Sequence, residues 1–182
     1  MPNSLHYLNI FLGSGAILFQ IFSVFALTVL FFGPKKNGKN IFLDFINEHL
    51  LSLGFFVSFS SSLFSLVYSE IVNFPPCYLC WYQRIFIFPL VFLFGMAMWE
   101  KDRRIIRYIL PLAAVGFIIS VYQNFFYYFG QNSDLPCDVS GTFCYQRLVS
   151  EFGGYISIPM LALSAFFAIL TLLVVAHFYK KE

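Results

Sequence analysis

Apolar residues gather in five long runs, at roughly 8–32, 50–72, 81–99, 105–128 and 155–178. Each is close to the ~20 residues that a helix needs to cross a hydrocarbon core. The strict alternation of a transmembrane barrel is absent. The pattern therefore predicts an all-α membrane protein with five spans. The first run has no basic stretch ahead of it, and its lysines follow it. A cleaved signal peptide has the reverse arrangement, so the run predicts an uncleaved anchor helix with its N-terminus outside. Between the first two runs, "NIFLDFINEH" (40–49) puts Ile41, Phe42, Phe45 and Ile46 on one helical face and Asn40, Asp44, Asn47 and Glu48 on the other. That arrangement predicts a short helix lying in the membrane interface. "SFSSSLFS" (58–65) supplies small side chains for close helix packing, a reading that outweighs serine chemistry.

Composition agrees with the pattern. The 182 residues are 59% hydrophobic, 21% aromatic and 11% charged, too few charges to cover a soluble domain. The net charge of +2 says little, but its placement says more. Lys35, Lys36 and Lys39 follow the first run, Lys101, Arg103, Arg104 and Arg107 lie between the third and fourth, and Lys180 and Lys181 end the chain. These nine of the eleven basic residues fall on one side of a five-span topology. The positive-inside rule makes that side cytoplasmic. Arg84 and Arg147 are the exceptions, and all four cysteines fall on the opposite side.

Those cysteines form two local pairs, Cys77-x-x-Cys80 and Cys137 with Cys144. Three readings compete for them: structural disulfides, a thiolate zinc site, or redox-active pairs. Zinc is weakest, because the second spacing is too long and His6, His49 and His177 lie far away in sequence. A bridge across Cys77–Cys80 closes almost no loop and would be a poor staple, whereas its adjacency suits thiol–disulfide exchange. Pro75-Pro76 stop the preceding element and present Cys77 at the start of the next helix. A helix N-terminus favours a thiolate, and so does Arg84, four residues after Cys80 on the same face. Against this stands a snorkelling role for Arg84 in an aromatic belt with Trp81 and Tyr82. Glu70 is a candidate ion-pair partner for Arg84, although an exposed interface carboxylate is the simpler reading. The other pair lies in a polar outer loop, 129–154, with Pro136 and Ser140-Gly141 as turn formers. A reachable loop pair and a fixed pair at the membrane edge together make a relay.

The fixed pair needs an electron acceptor. The chain carries no haem-attachment, flavin or iron–sulfur signature, so the acceptor is expected from outside it. A lipid-soluble quinone is available at this depth, and Arg84 is placed to hold one of its oxygens. No metal and no nucleic-acid partner are expected.

"CYLCWYQRIFIFPL" (77–90), the outer cysteine loop and "FGGYISIPMLALSAF" (152–166) together resemble the DsbB/BdbC family of disulfide-bond-formation membrane proteins. The likeness runs over roughly 50–178 in order and spacing. It implies a four-helix transmembrane bundle of DsbB type with one extra N-terminal helix. The expected division is an anchor at 1–33, a cytoplasmic loop with an interfacial helix at 34–49, and a redox domain at 50–182. It also implies a bound quinone (ubiquinone or menaquinone), contact with the membrane quinone pool, and a thioredoxin-like DsbA-type partner. Localisation would be the bacterial cytoplasmic membrane, with the cysteine loops extracytoplasmic and the C-terminus cytoplasmic.

Carried over by position, the resemblance makes Cys80 the quinone-proximal thiolate and Cys77 its disulfide mate, which exchanges with Cys144. Cys137 would form the mixed disulfide with the partner, and Arg84 would hold the quinone. Where many members carry a histidine in the third core span, this chain has Gln123. That amide can hydrogen-bond a quinone oxygen but cannot titrate near pH 7. Interhelical bonding by Gln123 and Asn124 is an equal alternative. Two rival functions remain. In a vitamin K epoxide reductase-like enzyme the membrane-edge pair follows the loop pair, the reverse of the order here. A scaffold or transporter with structural disulfides would not need Arg84 beside the Cys-x-x-Cys.

Overall fold

The computed structural model describes residues 3–33, 40–73, 76–129 and 154–179. Six α-helices follow in order: α1 (Asn3–Phe32), α2 (Ile41–Glu48), α3 (Leu50–Leu66), α4 (Tyr78–Glu100), α5 (Ile106–Phe129) and α6 (Ile158–Phe178). No β-strand occurs among the described residues. All but α2 belong to segments long and apolar enough to cross a membrane, and they match the five apolar runs.

Local chemistry sets the helix ends. α6 opens on Ser157, whose side chain accepts from the Met160 N–H at 3.3 Å, and Pro159 sits in its first turn. α4 stops at Lys101, which adopts a left-handed φ of 52°. Asp102 then caps the next turn by accepting from the Arg104 N–H at 2.8 Å. α3 ends differently: at Val67–Ile71 its hydrogen-bond register widens to a π-helical turn. Such turns interrupt the α ladder locally and often accompany functional sites.

The bundle is built around α6. More than half of its most apolar stretch is buried inside the protein, against less than a third in the other four long helices. The main core joins Leu90 and Phe94 of α4, Ile109 and Ala113 of α5, and Phe166 and Ile169 of α6. In lipid the hydrophobic effect does not drive helices together, so close packing must. Two glycines provide it. A Cβ on Gly54 would come within 2.4 Å of the Phe94 ring, and one on Gly116 within 2.2 Å of the Phe166 ring. The phenyl rings fill the space that these glycines leave, locking α3 to α4 and α5 to α6.

α1 packs along α6 as a fifth member of the bundle. Gln20 Nε2 donates to Ser164 Oγ at 2.7 Å, Tyr155 Oη donates to Gln20 Oε1 at 2.9 Å, and Tyr68 Oη in the π-helical turn donates to Asn9 Oδ1. The opposite end of the bundle is tied by α2. Arg103 donates to the Asn47 side-chain oxygen at 2.9 Å and to its carbonyl at 2.7 Å, while Asn47 Nδ2 reaches the Tyr179 carbonyl at 3.4 Å. The packed face of α2 thus differs from the apolar face read from sequence. Leu43, Ile46 and Asn47 are buried, whereas Ile41 and Phe45 are exposed. Asn47 turns inward because Arg103 and Tyr179 satisfy its polar atoms there.

Candidate functional site

Cys77 occupies the N-cap position of α4, with extended backbone, and its carbonyl accepts from the Trp81 N–H at 3.1 Å. The Cys-x-x-Cys spacing then brings Cys80 round one turn, so that the two Sγ atoms lie 3.0 Å apart. Cys77 is buried and Cys80 half-buried.

The sulfurs face α5. Gln123 Nε2 donates to both of them, at 3.3 Å to Cys77 Sγ and 3.3 Å to Cys80 Sγ. Its Oε1 accepts from Gln83 Nε2 at 2.6 Å, and the same Gln83 nitrogen donates to Ser120 Oγ at 3.2 Å. Ser120 Oγ in turn donates to the Gly116 carbonyl at 2.8 Å. Gln83, Ser120 and Gln123 are all buried. Asn124 points elsewhere and bonds the carbonyls of Ser120 and Pro159 at 2.8 and 2.9 Å. Gln123 therefore serves as an interhelical link and as a sulfur contact at once.

Arg84 is buried as well, but its contacts lie toward α3. Nε donates to Ser65 Oγ at 2.9 Å and Nη2 to the Ser65 carbonyl at 2.7 Å, within the last turn before the π-helical register change. Its guanidinium also lies over the Trp81 ring, 5.2 Å from the centroid. Glu70 is exposed, and its Oε1 accepts from Ser69 instead. The buried arginine thus takes its oxygens from Ser65, and the suggested pairing with Glu70 is not made.

On the outer stripe of α4, Tyr78, Trp81, Tyr82 and Ile85 line an open groove of about 270 Å³. All four side chains are exposed. Trp81 of this stripe lies under the Arg84 guanidinium, and Arg84 stands one turn beyond Cys80 on the same face of the helix. Among the described residues Arg84 Nη1 carries no hydrogen bond.

Of the six residues singled out from sequence, Cys77, Cys80 and Gln123 come together, and Arg84 flanks them. Cys137 and Cys144 lie outside the described residues. Sequence reasoning missed Ser65 and Ser120 and left Gln83 without a direction. The i, i+3 spacing of Ser120 and Gln123 was the available signal. Ser65 was hidden in a serine run in which Ser58, Ser60 and Ser61 bond their own helix.

A membrane-length helical bundle with a contacting thiol pair at the start of one helix defines a class of integral membrane dithiol protein. The chain matches the family described as "Disulfide bond formation protein DsbB" over residues 47–176. It belongs to that family, and α1 lies outside the matched region. It is 38% identical over 140 residues to a probable disulfide formation protein C 2 of Bacillus anthracis, covering 77% of this chain and 99% of the relative. It is 40% identical over 127 residues to the disulfide bond formation protein C of Bacillus subtilis, covering 69% and 91%. A probable disulfide formation protein of Chlamydia pneumoniae is 36% identical over 138 residues, covering 76% and 98%. No solved structure matches the chain.

Proposed function

We propose that the protein is a membrane protein-disulfide oxidoreductase that reoxidises an extracytoplasmic thioredoxin-fold dithiol protein of DsbA type and passes the electrons to a membrane quinone. The observation that carries this reading is the Cys77–Cys80 contact of 3.0 Å at the mouth of a membrane-length helix. Membership of a disulfide-formation family supports it. The three clusters of basic residues also support it, because the positive-inside rule would then put the cysteine-bearing side on the extracytoplasmic face.

In this reading Cys137 and Cys144 accept the partner's electrons, and Cys77 exchanges with Cys144. Cys80 is the thiol nearest the acceptor. Each exchange breaks one disulfide as it forms another, and two protons leave with each electron pair. The residues beside the pair suit a quinone. The aromatic groove of Tyr78, Trp81 and Tyr82 matches a planar apolar ring, and Arg84 Nη1, which has no hydrogen bond among the described residues, matches a ring oxygen. A bound quinone would supply the two-electron acceptor. Arg84, fixed by Ser65 and stacked on Trp81, would orient that oxygen and stabilise negative charge on it.

The test uses the purified full chain, a reduced thioredoxin-fold dithiol protein, and ubiquinone or menaquinone in turn. Thiol loss should require quinone and should stop in Cys80→Ser. Thiol loss that is independent of quinone, or full activity in Cys80→Ser, would sink the proposal.

A further inference from the structure

The amide of Gln123 meets both sulfurs, and what aims it is a directional chain of hydrogen bonds. The chain is rooted in the Gly116 carbonyl, which can only accept. Ser120 Oγ spends its one proton there, at 2.8 Å, leaving its lone pairs for an incoming donor. Gln83 Nε2 has two protons. One goes to Ser120 Oγ at 3.2 Å and the other to Gln123 Oε1 at 2.6 Å. With its carbonyl end thus occupied, Gln123 must present its NH₂ to the thiol pair, one proton to each sulfur at 3.3 Å. A flip of the Gln123 amide alone would bring its NH₂ against the NH₂ of Gln83, a pairing with no acceptor. Every proton along the route is accounted for, and every member is buried.

We infer that Gln83 and Ser120 are positioning residues that set the thiol–disulfide equilibrium of Cys77–Cys80 through Gln123. The inference rests on the reading of this pair as redox-active. A thiol or thiolate sulfur accepts hydrogen bonds better than a disulfide sulfur does, so two aimed N–H donors favour the dithiol. They therefore make the pair a stronger oxidant. Gln83 touches neither sulfur in this route, and any effect it has must pass through Gln123. Interhelical adhesion alone would alter stability and leave the equilibrium in place.

The experiment equilibrates the full chain with reduced and oxidised dithiothreitol. In that exchange dithiothreitol gives up two electrons and two protons as the Cys77–Cys80 disulfide opens. The pair is then trapped by alkylation, and the peptide carrying both cysteines is weighed by mass spectrometry. Gln123→Met keeps much of the buried volume and removes the donors. It should shift the equilibrium about tenfold toward disulfide, about 30 mV for a two-electron couple. Gln83→Met should shift it roughly threefold in the same direction, and Ser120→Ala by less. The double variant Gln83→Met/Gln123→Met should match Gln123→Met alone, because the route is then already broken.

An unchanged equilibrium in Gln83→Met, or additive shifts in the double variant, would overturn the inference. Ser120→Ala removes a single hydroxyl and keeps the test open should Gln83→Met fail to fold. Neither quinone nor partner enters the measurement. A wild-type pair that stays open even under an excess of a thiol oxidant such as diamide would instead overturn the redox reading itself, and the inference with it.

Discussion

Two polar clusters sit at opposite ends of the same bundle, each built from an arginine, an amide and side chains that sequence alone makes look alike. At one end Arg103, Asn47 and Tyr179 close on one another: the arginine's donors go to Asn47, and the Asn47 amide goes to a backbone carbonyl. At the other end the route from Gly116 through Ser120, Gln83 and Gln123 terminates on two sulfurs, and Arg84 keeps one face over Trp81. The first cluster ends in groups with no chemistry left to do. The second ends on the two sulfurs that the proposed function makes reactive. Burial of a polar side chain in a membrane bundle does not separate function from fastening; the last acceptor of its hydrogen-bond chain does.

The comparison can be broken in several places. The largest effect belongs to Cys80→Ser, which should reduce quinone-dependent oxidation of a dithiol partner to the uncatalysed rate, measured by thiol loss. Arg84→Met comes next. Loss of a charge-assisted contact should raise the quinone KM about tenfold, with a smaller change in kcat. The matching change at the other end, Arg103→Met, should leave KM unmoved; an equal rise there would erase the distinction between the clusters. Ser65→Ala frees Arg84 from one of its two anchors and should raise the quinone KM roughly threefold. Smallest for activity is Arg103→Met itself. Its cost is about 1 kcal/mol of stability, read from a denaturation midpoint, with the Cys77–Cys80 equilibrium at its wild-type position.

The fold was largely legible because membrane helices announce themselves by length and composition, and all five apolar runs became helices. The early start of α4 at Tyr78 followed from the prolines and from Cys77 as its cap. The site was legible only where identity and spacing suffice, as for the Cys-x-x-Cys and for Arg84 one turn on. Where orientation depends on a neighbour's choice of acceptor, sequence was silent. Gln83 had no readable direction until Ser120 was known to spend its proton on Gly116. Arg84 had a plausible carboxylate in Glu70, yet it takes its oxygens from Ser65, in the last α-helical turn before the π-helical register change. Asn47 was assigned to a polar face because partners 56 and 132 residues away could not be foreseen.

The central claim is that the pair at the start of α4 delivers its electrons to a quinone. Its most direct test is anaerobic titration of the reduced full chain with ubiquinone or menaquinone, following the peptide that carries Cys77 and Cys80 by mass after alkylation. The account predicts that this pair closes to a disulfide with one quinone reduced per disulfide formed. A pair that stays alkylatable while excess quinone remains oxidised would contradict it.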